Sequence, residues 1–566
     1  MAPSPNSFPV LIAGAGPAGL MLSIELGRRG ISALVIDPKP STAVSPQANA
    51  TQARTMEYFR KHGFADEVRA QGLPPDYPTD IAYFTRYSGT ELARFSLPSS
   101  AEARTAVARM GGSWSAAELP HRISQKFVEQ VLRKHAQSSP EITLQFGFRL
   151  MSFRQTDQAV VAMVEDVSSG QQKEISASYL VGVDGARSTV RNQLGYRYTG
   201  ETGVSRDFFG GRMAAIYMRA PDFYRVIEHP RAWMYWAFNP ERRSWLAAVN
   251  GIDEFAFHTQ LKPDELERPL DAAFARELVE QAVGKHLDFE ILALDTWIAG
   301  HTLVAEQFGA GRVLIGGDAA HLFTPAGGLG YNTAVEDAVN LGWKLAAILK
   351  GHGGSGLIES YKYERQKVAK RNTGYARELA KSIGDYIPDR AIEQHGPEGH
   401  AARTAAGAYL NGHARREFNI PGITFGGRYD GSPVIIADAT APPPDAANIY
   451  NQSATPGGRA PHLWLDDGRS LYDAFGFEWT LLDFSEHRQA GRDLAEAAAA
   501  LRLPLTIVTD LPTRARDLYD CELALIRPDQ IVAWRGSASY DAERILKIVT
   551  GRGDGVCSSK RMERSS

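Results

Sequence analysis

The feature that most constrains the fold is a short apolar run leading into Gly14-x-Gly16-x-x-Gly19. Val10 to Ala13 reads as a buried strand ending at Gly14. From about Pro17 the pattern turns helical, with Leu20 and Ile24 one turn apart, and it stops at Gly30. Ile31 to Ile36 is a second apolar strand, closed by Asp37. This β-α-β unit is what the glycine fingerprint requires, and it predicts an α/β, Rossmann-like domain. Gly14 allows the tight turn, Gly16 lets backbone N–H groups approach a pyrophosphate, and Gly19 packs helix on strand, with Pro17 and Ala18 opening the helix. Asp37 stands where a carboxylate binds the ribose hydroxyls of an adenosine. Alone, the unit admits NAD, NADP or FAD.

A second segment narrows the choice. Val313 to Ile315 is predicted as a buried strand that delivers Asp318 at its carboxyl end, the usual place for ligand contacts in a parallel sheet. Asp318 is suited to bond a ribityl hydroxyl. Gly327, Gly328 and Gly330, with Leu329 and Tyr331 among them, let backbone amides approach a flat ring. A helix is predicted from near Asn332, with Glu336 and Asp337 in its first turns, and its dipole favours negative charge on the pyrimidine end of a reduced flavin. Pro325 fixes the loop that flanks a substrate. Together the two segments select FAD, held without a covalent bond. A third stretch, Tyr179 to Arg191, ends an apolar strand in Asp184-Gly185 before a helix near Ser188. Taken alone it is a capped turn with Arg187 and Arg191 adding positive charge. Gly351, Gly353 and Gly356 repeat the glycine spacing after a helical pattern rather than a strand, so they read as a helix exit.

Composition limits the partners. A chain of 566 residues is too long for one core. A net charge of −3 gives no reason to expect nucleic acid or an anionic membrane. The two cysteines, Cys521 and Cys557, exclude a disulfide framework and a zinc cluster, and no metal is expected. Met1 to Pro9 lacks a basic n-region, no apolar stretch reaches spanning length, and the cytoplasm is the expected compartment.

These segments, in this order, resemble the single-component flavoprotein aromatic monooxygenases, the group of para-hydroxybenzoate hydroxylase and the phenol hydroxylases. Gln52-Ala-Arg54-Thr-Met-Glu57 and Leu119-Pro-His-Arg-Ile-Ser-Gln125 match the same family, and the likeness spans roughly residues 8–380. It implies that Gln47, Arg54 and Gln125 belong to the FAD site, that Asp184 and Gly185 serve both FAD and NAD(P)H, and that Pro325 lines the place of oxygen transfer. It further implies an NAD(P)H-consuming hydroxylase in which a flavin hydroperoxide is attacked by an electron-rich ring carbon of a phenolic substrate. Alternatives are a same-fold tailoring hydroxylase or Baeyer–Villiger enzyme and, in another class, a flavin-binding sequestration protein without turnover. The chain departs from its apparent relatives at Asn49, aligned with an Asp or His read in several phenol hydroxylases as the base for the substrate hydroxyl. An amide cannot take that proton. Either the substrate is already acidic, with Asn49 orienting it, or His121, Tyr217 or Tyr235 supplies the base. The acidic substrate is the favoured reading.

The expected organisation is an FAD-binding domain in three parts, 1–75, 116–203 and 300–385. A mixed-sheet substrate domain, 76–115 and 204–299, is interleaved with it. The aromatic run Trp233 to Phe238 should cover the cavity with one face, either Trp233 and Tyr235 or Met234, Trp236 and Phe238. Residues 386–455 read as irregular segment and linker, and 551–566 as a polar tail. Residues 456–550 resemble the thioredoxin-like domain of the phenol hydroxylase branch, without a cysteine pair and with Cys521 in an apparent strand. A homodimer is expected.

Overall fold

The computed structural model describes residues 6–202, 208–537 and 541–553. Its first sheet runs in the order Gly309–Ala310, Val313–Ile315, Gln172–Gly182, Ser7–Ala13, Ala33–Asp37, Ile142–Phe146, with Val160–Asp166 and Phe148–Gln155 attached beside Gln172–Gly182. The strands from Val313–Ile315 to Ile142–Phe146 are mutually parallel. Val10, Leu11 and Ile12 are wholly buried, as a strand covered on both faces must be. Helix Pro17–Gly27 follows the first strand, and Gly30 has the left-handed φ of +67° that ends its turn. The long helix Leu329–Leu349 packs on Pro17–Gly27 so closely that a Cβ on Gly342 would lie 2.4 Å from that of Glu25.

A second, mixed sheet has seven strands, ordered Glu290–Ile298, Arg212–Arg219, Glu254–Gln260, Arg243–Ala248, Met234–Phe238, Ile81–Phe84, Glu91–Phe95. Both insertions contribute to it, joined by the one parallel pair, Met234–Phe238 with Ile81–Phe84. Its wholly buried Tyr83, Phe84, Tyr235 and Phe238 anchor a core separate from that of the first sheet.

Residues 386–455 are irregular only in part, since 426–455 carries no helix or strand but 397–425 is largely helical. They contain the 22-residue helix Pro397–Phe418 and a short helix Pro421–Phe425. Gly399, Ala406, Leu410, Ala414 and Glu417 are buried along the long helix, three to four residues apart in most steps, and Leu410 joins the core of the seven-stranded sheet.

The C-terminal unit is a four-stranded sheet, Leu505–Val508, Trp479–Asp483, Leu523–Ile526, Val532–Gly536. The first pair is parallel and the others antiparallel, with helices Gln489–Ala500, Thr513–Tyr519 and Ala542–Val549. That is the thioredoxin-like arrangement. Cys521 sits in the turn before Leu523–Ile526 rather than in a strand, and Cys557 lies outside the described residues. Burial pushes the Cys521 thiol up to about 12.

Buried charges weld this unit to the rest. Glu364 accepts from Lys344 (2.6 Å) and from both Nη atoms of Arg527 (2.7 and 2.9 Å), and Asp529 bonds Arg527 and Asn340. Arg54 donates to Gln530 (2.5 Å) and to the Asp529 carbonyl (2.6 Å), and Arg459 reaches Glu57 (3.1 Å). Each charge is matched, which is what makes its burial tolerable.

Candidate active site

A cavity of about 1110 Å³ lies where the carboxyl ends of the parallel strands face the seven-stranded sheet. One wall consists of Gly14, Gly16, Pro17, Ala18, Asp37, Gln47, Asn49, Gln125, Asp184, Gly185, Asp318 and the run Leu322–Tyr331, which includes Pro325, Gly328, Leu329 and Gly330. The other is aromatic and apolar, with Phe209, Trp233, Met234, Trp236 and Trp245.

The glycine loop is shaped by contact. Gly14 has φ +112°, and a Cβ there would stand 2.2 Å from the Val183 carbonyl oxygen. Gly19 does not line the cavity; a Cβ on it would meet the Gly14 oxygen at 1.9 Å, so it sets the helix against the strand. A Cβ on Gly16 meets nothing within 4 Å and points into open space. Asp37 closes the loop by accepting from Ala15 N (2.8 Å) and Lys39 N (2.9 Å) while facing the cavity.

Asp318 reaches the cavity on a loop that is braced from below. Buried Asp337 accepts from Gly317 N (2.9 Å), bonds His321 Nε2 (2.7 Å) and pairs with Arg365 Nε (2.6 Å). Desolvation alone would raise the Asp337 carboxyl, but Arg365 and His321 outweigh it and hold it below the usual range. The Asp318 carboxylate itself bonds no donor among the described residues, and the surrounding protein pushes it above the usual range against the pull of His321.

The Asp184 turn is the capped strand-to-helix turn expected. Asp184 accepts from Thr189 N (2.7 Å) and Val190 N (3.3 Å), and burial raises its carboxyl. Arg187 lines the cavity, whereas Arg191 ties the two loops by donating to Ala186 O (3.0 Å) and Ala319 O (3.4 Å).

The helix after the glycine run begins at Leu329, earlier than its expected start near Asn332, so its first N–H groups face the cavity. Gly327 and Gly328 take left-handed φ values of +74° and +62°, which places them there cheaply. Asn332 is not a cavity residue. Its Oδ1 accepts from Gln52 N and Thr55 Oγ1, and its Nδ2 donates to Ala50 O and Gly328 O, so it pins the strand Ala50–Thr51 to the helix start. Arg54 is likewise displaced from the expected cofactor contact, since both ends of its guanidinium serve the C-terminal unit.

Two expected catalytic tyrosines are corrected. Tyr235 points away from the cavity, accepts from Ala232 N (2.7 Å) and packs among Phe84, Tyr87 and Phe223; Met234 and Trp236 supply the cavity face. Tyr217 lies outside the cavity lining, its hydroxyl bonded to Lys126 and Glu254. Both hydroxyls are pushed up by desolvation, the wrong direction for a base. His121, pushed down to about 3 by burial and Arg69, also lies outside the lining. Asn49 does face the cavity, and its buried Oδ1 has no protein partner.

The lining residues not singled out from the sequence include Phe209 and Trp245 in the aromatic wall, together with Glu417, Phe418 and Arg122. Glu417 and Phe418 end helix Pro397–Phe418; Glu417 Oε1 accepts from Gly327 N (2.9 Å) and Oε2 bonds His413 Nε2 (2.6 Å), which fixes the glycine run. Arg122 stands within the quoted Leu119–Gln125 stretch.

These residues fit FAD. Open space above Gly16 beside a helix start suits a pyrophosphate, unbonded Asp318 awaits hydroxyl donors, and free N–H groups at Leu329–Tyr331 suit a flat ring bearing negative charge. No helix among the described residues is long and apolar enough to cross a membrane.

Comparison with known proteins agrees. The family described as "FAD binding domain" matches residues 7–376, and "Aromatic-ring hydroxylase, C-terminal" matches 453–552. Phenol 2-monooxygenase of Pseudomonas sp. (strain EST1001) is 30% identical over 94% of this chain and 90% of its own. Aklavinone 12-hydroxylase RdmE of Streptomyces purpurascens is 30% identical over 96% and 98%. The structure of the rebeccamycin biosynthetic enzyme RebC with reduced flavin superposes with a TM-score of 0.86 at 31% identity, covering 97% of this chain and 100% of that one. The chain belongs to the FAD-dependent aromatic-ring hydroxylases, the single-component flavin monooxygenases with a C-terminal thioredoxin-like domain.

Proposed function

We propose that this chain hydroxylates a phenolic ring, consuming NAD(P)H and dioxygen, as a cytoplasmic homodimer. The observation that carries the reading is the continuity of one cavity from the glycine cradle to the wall of Phe209, Trp233, Met234, Trp236 and Trp245. Bound there, FAD supplies the electron transfer from NAD(P)H and the activation of dioxygen. The chain holds it through Asp318, the Gly16 turn and the Leu329–Leu349 helix start, whose dipole favours an anionic ring. The aromatic wall positions the substrate and keeps water away from the reacting carbon. Asn49 orients the substrate oxygen without taking its proton, so the ring arrives already ionised or carries a group that acidifies it.

A second reading is a polycyclic natural product in place of a simple phenol, supported by the breadth of the aromatic wall and the similarity to aklavinone 12-hydroxylase. Substrate-stimulated NADPH oxidation, oxygen uptake and product mass separate the readings when phenols and fused-ring phenols are compared. Oxidation that no aromatic compound stimulates would refute both. Across phenols of graded acidity, wild type is expected to favour the acidic ones and Asn49→Asp to gain on the weakly acidic ones. Equal wild-type rates with no gain in the variant would show that the base lies elsewhere.

A further inference from the structure

Arg122 is a buried cation with nothing to hold. It lies in the two-residue strand His121–Arg122, directly opposite Ala50 and so beside Asn49. Its side chain lines the cavity at 6% residue exposure and lies over the Trp233 ring, 4.7 Å from the centroid. No hydrogen bond or ion pair engages its guanidinium among the described residues. Glu417, the carboxylate whose field it feels, is occupied by Gly327 N and His413. Burial pushes Arg122 down to about 10 against the pull of Glu417, so it is charged at neutral pH.

An unpaired guanidinium out of water is expensive, and the buried Lys344, Arg365, Arg459 and Arg527 each sit against a carboxylate while buried Arg191 is held by carbonyl and amide oxygens. The missing partner must come from the cavity, and the planar fork of Arg suits an oxyanion bidentately. We infer that Arg122 binds an anionic oxygen of the substrate, a phenolate or ring carboxylate, and so selects anionic aromatic substrates. This rests on the reading of the cavity as a site for an aromatic hydroxylation substrate. It also explains how a site with Asn49 in place of a base handles a phenol: the site captures the ionised form and has no proton to remove.

The test uses the FAD-loaded protein and the change in its flavin spectrum on ligand binding. The carboxylate arm compares 1-hydroxy-2-naphthoate with its methyl ester. The phenolate arm compares ionised 4-nitrophenol with 4-nitroanisole. Wild type is expected to bind the anion of at least one pair about ten- to a hundredfold more tightly than its neutral analogue, the worth of a charge-assisted hydrogen bond. Arg122→Gln and Arg122→Met should erase that preference at unchanged FAD content, and Arg122→Lys should keep part of it. Preference in one arm only identifies which oxyanion the site takes. Equal affinity for anion and neutral analogue in both arms of the wild type overturns the inference without recourse to any variant, and so does a preference that survives in Arg122→Gln. Where the preference holds yet no probe is hydroxylated, the functional reading falls and the anion site stands.

Discussion

Replacing Asp318 by alanine should cost cofactor affinity and nothing else. The carboxylate bonds no protein donor among the described residues and faces the cavity, so its removal breaks no internal contact. What it loses is a charge-assisted bond to a cofactor hydroxyl, about 1.5–3 kcal/mol, which weakens FAD binding roughly ten- to a hundred-and-fiftyfold. Because Asp318 is exposed to the cavity and bonds no protein donor among the described residues, Asp318→Ala leaves the cofactor-free protein as stable as wild type, and Asp318→Asn lies between in FAD affinity. Titration of deflavinated protein with FAD, followed by fluorescence, gives the affinity, and urea unfolding of the same preparation gives the stability. An unchanged FAD affinity, or a stability loss as large as the affinity loss, would refute the argument, because either result makes Asp318 a structural residue.

Asp337→Ala should do the reverse, removing about 1–3 kcal/mol of stability by taking one of the two carboxylates from Arg365 and leaving Gly317 N without its acceptor, measured by urea unfolding. The Asp337 contribution is present above its unfolded pKa and lost as pH falls through its depressed folded value, so wild type should lose more stability in acid than a variant lacking this carboxyl. Gly14→Ala should destabilise the fold by about 1–3 kcal/mol through its positive φ and the Val183 carbonyl. Gly16→Ala should unfold like wild type yet bind FAD more weakly, since its methyl enters the space for the pyrophosphate; unfolding and FAD titration of the pair check both. A double Cys521→Ser, Cys557→Ser variant should keep turnover with FAD bound, and Cys521 should resist iodoacetamide at neutral pH because its thiol is pushed up to about 12.

The cofactor side of the site was legible because its geometry is dictated by backbone. Gly14, Gly16, Gly19 and the Gly327–Gly328 pair occupy positions that a side chain would disturb, and such positions announce themselves in sequence. The substrate side was less legible. Alternation along Met234–Phe238 allowed two faces, and neither holds whole: the packing of Tyr235 on Phe84 and Phe223 turns Met234 and Trp236 to the cavity, but Phe238 does not line it and Trp233, just before the strand, does. Arg54 and Asn332 sit in family motifs yet spend their hydrogen bonds on neighbouring segments distant in the chain, which no local pattern reveals. Helix Pro397–Phe418 was missed because its buried stripe holds a single large apolar residue, Leu410, among a glycine, two alanines and two polar residues. A signal was present in His413 and Glu417, polar residues standing on that stripe near Leu410.

The buried charges that join the C-terminal unit to the rest have a consequence for biosynthesis. Glu364 leaves the ribosome 163 residues before Arg527, and Glu57 precedes Arg459 by 402. At about 5–20 residues per second, Glu364 waits roughly 8–33 s for its partner. Through that interval the nascent cofactor domain carries charges that it cannot bury, so its last packing step is deferred until nearly the whole chain has been made.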